Sequence, residues 1–367
     1  MNPLIAMIPY ENLKRLNAPF TEAFHEKFNK VLDNGHYILG SELESFEKEF
    51  AAYHSVNSFL GISNGLDALI LSLKACNLPA GSEVIVPAHT YIATILAILN
   101  CQLKPVLIEP NIHTYNIDVT KIEEAITPKT KALMIVHLYG KACDMDEIMR
   151  IKEKYNLYLI EDCAQAHGAT YKNKLIGTFG EFAAFSFYPT KNLGALGDAG
   201  GIICNAPEHV RTIIQLRNYG SEIKYHNEIV GYNNRLDEMQ AGFLSVKLKY
   251  LDEMNAHRNK LAKLYFDNLK DDFILPDVNE DHYDVFHIYN IRHEKRDDLQ
   301  KYLADKGVGT AIHYPIPPHR QNALKGENIK GEFPLTDEIH NTTLSIPCSF
   351  SHTEDEVLQV IEILNNY

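Results

Sequence analysis

Several things are scarce or missing in this chain of 367 residues. No apolar stretch approaches the ~20 residues that cross a bilayer. The opening Met-Asn-Pro-Leu-Ile-Ala-Met-Ile-Pro-Tyr-Glu turns polar too soon for a secretory signal, so a cytoplasmic protein is expected. Cysteine is sparse. Cys76, Cys101, Cys143, Cys163, Cys204 and Cys348 are scattered, with neither Cys-x-x-Cys nor a companion histidine spacing, which argues against zinc. They read as mostly buried free thiols, Cys163 as a small apolar filler beside Asp162. Positive charge is also short: 35 Lys and Arg against 48 Asp and Glu leave a net charge of −13. That balance opposes nonspecific binding to nucleic acid or a membrane surface, so neither is an expected partner. It does not bar an anionic small substrate, which a local cationic pocket can hold. Internal repeats, low-complexity segments and a dinucleotide fingerprint are absent too. Gly194, Gly197, Gly200 and Gly201 lack the preceding strand and the ribose-binding acid that such a fingerprint needs.

What is present is an alternation. Strand-like apolar runs at 83–87, 105–109, 132–139, 157–162, 183–187 and 201–204 are separated by helical patterns such as 146–155, with Ile148, Ile151 and Tyr155 on one face. This predicts an α/β fold with a mostly parallel sheet covered by helices. Ser41-x-x-Glu44 reads as a capping box before a helix whose Leu43, Phe46 and Phe50 form one apolar face, and Thr353-x-x-Glu356 as another before a final helix. A long helical stretch at 250–269 leads to an apolar run at 285–291 and a Pro-rich loop at 312–319. The length exceeds one ordinary domain, and we expect a large domain over 1–250 and a smaller α+β domain over 251–367.

Two residue types at strand ends carry the chemistry. Leu157-Tyr158-Leu159-Ile160-Glu161-Asp162 reads as a buried strand ending in carboxylates, and Ala184-Phe185-Ser186-Phe187-Tyr188-Pro189-Thr190-Lys191 as a strand running into a turn with a lysine. Singly, a strand-end Asp is a cap and a Lys after Pro-Thr is solvated surface. Together they are the pair that pyridoxal phosphate needs: an amine to form an imine, and a carboxylate to keep the pyridine nitrogen protonated. Other pieces agree. Ser63-Asn64-Gly65-Leu66-Asp67 opens a helix whose free amides suit a phosphate, with Asp67 expected to face away from it. Ser186 offers a hydroxyl, and Tyr91, in His89-Thr90-Tyr91 after a strand, offers a ring to stack on the cofactor.

These segments resemble the DegT/DnrJ/EryC1/StrS nucleotide-sugar aminotransferases, a branch of fold-type I pyridoxal phosphate enzymes. The resemblance runs nearly end to end. It rests on Gly35-His36-Tyr37-Ile38-Leu39-Gly40, Asn64-Gly65-Leu66-Asp67-Ala68-Leu69, Thr90-Tyr91-Ile92-Ala93-Thr94, Glu161-Asp162-Cys163-Ala164-Gln165-Ala166-His167-Gly168, Phe185 to Lys191, Gly231-Tyr232-Asn233-Asn234-Arg235 and His313-Tyr314-Pro315. It implies a three-layer αβα large domain and a small α+β domain. It further implies that Lys191 forms the imine, Asp162 pairs with the pyridinium, Gln165 binds the ring hydroxyl and Tyr91 stacks on the ring. Gly65, Leu66 and Ser186 would hold the phosphate, with Asn233 reaching it from the second subunit of a homodimer. Tyr188, His313 and Tyr314 would line the sugar-nucleotide pocket, and Lys224 would come from the partner subunit.

The reaction so implied is transfer of an amino group from L-glutamate to a nucleotide-linked keto-sugar. Gly65-Leu66-Asp67-Ala68-Leu69 is closer to members that aminate a 3-keto sugar, so a dTDP-3-keto-6-deoxyhexose is the expected substrate, with a 4-keto sugar as the alternative. A pyridoxal phosphate-dependent sugar dehydratase would carry histidine in place of Lys191. A non-catalytic scaffold has no need of Lys191, Asp162, Ser186 and Asn233 together.

Overall fold

The computed structural model describes residues 7–327 and 329–367. Its centre is a seven-stranded sheet: β1 (Phe59–Ile62), β2 (Glu83–Pro87), β3 (Lys104–Ile108), β4 (Thr130–Val136), β5 (Tyr158–Asp162), β6 (Phe182–Ser186) and β7 (Gly200–Cys204), in the order β1-β7-β6-β5-β4-β2-β3. The run from β6 to β3 is parallel, and β7 is antiparallel to both of its neighbours, β6 and β1. Alternate strand residues feed two cores. Ile85, Leu133, Leu159 and Phe185 face the helices Ser41–Tyr53 and Met145–Tyr155, while Val84, Val86, Met134 and Ile160 face Gly65–Ala75 and Ile92–Asn100. Burial on both faces is why these strands read as unbroken apolar runs. After β3 the chain crosses back over β2, so β4, β5 and β6 extend the sheet the other way and the loops after β2 and β4 part. A crevice at the carboxyl ends of the strands results.

The capping box predicted at Ser41 does not form. Gly40 is the N-cap of helix Ser41–Tyr53 and offers no side-chain bond. The Glu238 carboxylate, from helix Glu238–Leu248, accepts instead from the N–H groups of Gly40, Glu42 and Leu43 at 2.6, 2.9 and 3.1 Å. A charged acceptor serving three amides at once outcompetes one local hydroxyl. The box at Thr353 does form and opens helix Glu354–Asn365.

Beyond the long helix Leu251–Asn268 the chain builds an antiparallel pair, β8 (Tyr289–Arg292) and β9 (Thr343–Ile346), with helices Arg296–Asp305 and Glu354–Asn365 around a core of its own, while Ile339 of helix Pro334–Thr342 packs against Val136, Leu138 and Tyr139 at the end of β4. Ile8 packs into that core. The apolar run at 285–291 becomes strand only from Tyr289. Its first part crosses to the turn after β4, where Val285 N donates to Gly140 O at 2.9 Å and Ile288 N to Tyr139 O at 3.3 Å. We propose to divide the chain at the start of helix Leu251–Asn268. All six cysteines are buried and free, and among the described residues no helix is long and apolar enough to cross a membrane.

Candidate active site

Asp162 is the last residue of β5, and its backbone is pinned on both sides: its carbonyl accepts from His137 N at 3.1 Å, and the next amide, of Cys163, donates to Ala184 O at 2.8 Å. Its neighbour Glu161 faces the opposite core and is saturated. The Glu161 carboxylate accepts from the N–H groups of Gly177, Phe179 and Gly180 at 2.7, 2.8 and 2.7 Å and from His137 Nε2 at 3.1 Å. His137, Glu161 and Cys163 lie close enough to suggest a metal site. Glu161 has no need of one, since those donors already satisfy it, and Cys163 is the buried filler expected. With Glu161 locked, Asp162 points to the crevice. Its two oxygens accept from Thr94 Oγ1 at 2.9 Å and Ala164 N at 3.1 Å, and Thr90 Oγ1 lies 2.9 Å from Thr94 Oγ1. Burial pushes the Asp162 pKa up, while Ala164, Thr94 and Lys191 hold it down.

Lys191 comes from the turn after β6. Its amide donates to Tyr188 O at 2.8 Å, and the buried Lys247 donates to Gly194 O at 2.7 Å, fixing the turn from the helix side. The Lys191 amine lies 3.5 Å from His287 Nε2. Burial lowers its pKa to about 8, with the Asp162 charge opposing. Burial also lowers His313 to about 4, and the charge of Lys191 adds to the shift. The crevice therefore joins an amine poised near neutrality to a fixed carboxylate.

Around this pair the structure gathers most of the residues picked from sequence. Gln165 accepts from Tyr139 N at 2.8 Å and donates to Tyr314 Oη at 2.8 Å. Tyr91, 54% exposed, precedes helix Ile92–Asn100, and its ring lies 5.3 Å from that of Tyr314. His313 is held by Ser345 Oγ at 2.8 Å. Tyr188, 53% exposed, stands at the rim. His167 is plain packing, its ring set between Phe185 and Phe187.

Asn64 caps helix Gly65–Ala75 by accepting from Asp67 N at 2.9 Å. Asp67 turns to Ser63 and Asn64, which donate to its carboxylate at 2.5 and 2.8 Å. The amides of Gly65 and Leu66 are left open beside Ser186. A Cβ on Gly65 would lie 2.6 Å from the Ser186 Cβ, so only glycine allows this approach. Open helix-start amides, an adjoining hydroxyl and the Lys191 and Asp162 pair fit the phosphate, aldehyde and ring nitrogen of pyridoxal phosphate.

Two of the residues picked from sequence stand apart from this cluster. Asn233 is exposed and bridges Asn218, and Lys224 is exposed at a hairpin turn with its amine 5.1 Å from the Tyr225 ring centroid. Neither bonds to the cluster around Lys191. Sequence reasoning passed over His287, Asn192 and Thr94. Their only signals were a single histidine inside the apolar run at 285–291, and the segments already quoted around Tyr91 and Lys191.

The model of the DegT/DnrJ/EryC1/StrS aminotransferase family matches residues 20–365. The chain belongs to this family. It is 49% identical over 362 residues, 98% of this chain and 99% of the relative, to a dTDP-3-amino-3,6-dideoxy-alpha-D-galactopyranose transaminase of Aneurinibacillus thermoaerophilus. The crystal structure of S. venezuelae DesV in complex with a ketimine intermediate superposes with a TM-score of 0.96, at 40% identity and 98% coverage of both chains. That of NtdA from Bacillus subtilis with bound cofactor PMP gives 0.92 at 33% identity, covering 100% of this chain and 86% of NtdA. As a DegT/DnrJ/EryC1/StrS member the chain is a sugar aminotransferase whose cofactor is pyridoxal phosphate. The fold-type I architecture expected from the resemblance is the one observed.

Proposed function

We propose that the chain moves an amino group from L-glutamate to C3 of a dTDP-linked 3-keto-6-deoxyhexose, giving a dTDP-3-amino-3,6-dideoxyhexose. The observation that carries this is the buried Lys191 amine in the turn after β6, within electrostatic reach of Asp162 at the end of the adjacent β5, in a chain 49% identical to a transaminase named for that class of product.

Pyridoxal phosphate, when bound, supplies an electron sink for the bond broken at the donor's α-carbon. Gly65 N, Leu66 N and Ser186 Oγ would bind its phosphate, and Asp162 its ring nitrogen, in a carboxylate orientation fixed by Thr94 and Ala164. Gln165 would bind the ring hydroxyl with the hydrogen left free by Tyr314, and Tyr91 would cover the ring face. Lys191 Nζ would carry a proton away from the donor's α-carbon in the first half-reaction and deliver one to the sugar carbon in the second, regenerated as the neutral amine between them. A depressed pKa favours this, because the neutral amine is the base. Tyr188, His313 and Tyr314 would border the sugar. Asn233 and Lys224, exposed and unattached to their own site, would complete a neighbour's in a homodimer.

The test is a product assay. Purified protein with pyridoxal phosphate and glutamate receives dTDP-3-keto-6-deoxyhexose or dTDP-4-keto-6-deoxyglucose, and NMR assigns the aminated carbon. Amination at C3 is expected. Amination confined to C4 would refute the substrate assignment, and amination of neither would refute the whole proposal.

A further inference from the structure

His287 reaches the Lys191 amine from the C-terminal part of the chain, just where the run at 285–291 crosses to the turn after β4. Its ring orientation is dictated by a chain of side-chain amides. Asn255 Nδ2 donates to the carbonyl of His167 at 2.8 Å, which leaves Asn255 Oδ1 as an acceptor. Asn192 Nδ2 donates to that oxygen at 2.8 Å and to Val285 O at 2.9 Å. Both ends are backbone carbonyls, which can only accept, so neither amide can flip. Asn192 Oδ1 must then face His287 Nδ1, 3.2 Å away, and that nitrogen must carry the hydrogen. The other nitrogen, Nε2, is bare and faces Lys191 Nζ, whose only hydrogen-bond partner it is among the described residues.

This tautomer matters. A histidine bearing its hydrogen on Nε2 would donate into the amine's lone pair and block the base. A bare Nε2 accepts one of the amine's hydrogens and leaves the lone pair free to meet a substrate proton. Arg258 bonds the carbonyls of Phe286 and Cys348 at 3.2 and 2.7 Å and lies 3.4 Å from that of His287, so a positive charge stands close by. Burial, together with the charges of Lys191 and Arg258, keeps the ring neutral; His313 and His167 adjoin it, and Asp162 faces Lys191 from β5.

We infer that His287, held by Asn192 and Asn255, is a positioning residue for Lys191: it accepts a hydrogen from the free amine and turns the amine's lone pair toward the bound donor. This rests on Lys191 being the reactive amine.

The experiment uses the protein loaded with pyridoxamine phosphate, in which Lys191 is free. Nitrogen-15 NMR of labelled histidine in the wild type should show His287 protonated on Nδ1 alone, and a hydrogen on Nε2 would overturn the inference without any variant. The pH dependence of acetic anhydride labelling of Lys191, read by mass spectrometry, should shift down by about one unit in His287→Phe, the size of one hydrogen bond to a charge. In the same variant kcat should fall by roughly tenfold or more, with both KM values within about twofold, and His287→Gln should recover part of the loss. An unmoved Lys191 titration with unchanged kcat in His287→Phe would reduce His287 to packing. Lys191→Ala separates the two claims: if it still transaminates, the Lys191 reading itself is wrong, whereas an inactive Lys191→Ala beside an unaffected His287→Phe overturns only this inference.

Discussion

Asp162 is held in a carboxylate geometry by Thr94 and Ala164 and faces a lysine whose own pKa burial brings to about 8. Replacing it with asparagine removes a charge while keeping the shape. We expect Asp162→Asn to slow both half-reactions by roughly 100-fold or more, as loss of a preorganised charge does, with near-UV circular dichroism unchanged. Loss confined to sugar binding would show Asp162 to be misassigned. Asp162 stood out because a charged residue ending an apolar strand is conspicuous in sequence, and Lys191 because it follows such a run through a Pro-Thr turn. His287 did not. A histidine within an apolar run reads as core, and only the fold brings residues 191, 192, 255 and 287 to one point.

At the scale of elements, the N-terminus of helix Gly65–Ala75 is pressed against the end of β6. The Gly65→Ala methyl would meet the Ser186 side chain at 2.6 Å and crowd the open amides. We expect the variant to bind pyridoxal phosphate at least about tenfold more weakly, since a displaced anion site loses more than one charge-assisted hydrogen bond. Equilibrium dialysis measures this, and unchanged affinity would move the phosphate elsewhere. The two capping boxes show why some element ends can be read and others cannot. Thr353 and Glu356 satisfy one another across a single turn, so the sequence contains the whole interaction. The start of helix Ser41–Tyr53 depends on Glu238, which local pattern cannot foresee. The positions of β2 to β7 were legible for the reverse reason, since double-sided burial imposes continuous apolar runs, whereas the four-residue β1 was too short to stand out. Strand order and the antiparallel direction of β7 were not legible, because each depends on pairing between distant segments.

For the molecule as a whole, acid should be destabilising before the carboxylates titrate. Burial lowers His54 to about 4 and His167 to about 3, against 6.5 for the free side chain. A depressed pKa means that the unfolded chain takes up the proton first. Stability is therefore complete above pH 6.5 and is lost as pH falls from there toward 4, by on the order of 3 kcal/mol for each such histidine. Urea midpoints measured across this window should be flat above pH 7 and fall below it, less steeply in His54→Phe. The same slope in that variant would exclude His54 as a cause.

The edge strand β1 leads straight into Asn64 and Gly65, yet its sole partner in the large sheet is β7. The helix start proposed to receive a phosphate is thus anchored by residues made much later than itself. On a ribosome, a chain that has passed β6 but not Cys204 already has Asp162 and Lys191 and still lacks a fixed anion cradle. If that helix start holds the phosphate, as proposed, capture of the vitamin-derived group should be a late event in biosynthesis, tied to the entry of β7 into the sheet rather than to the appearance of Lys191.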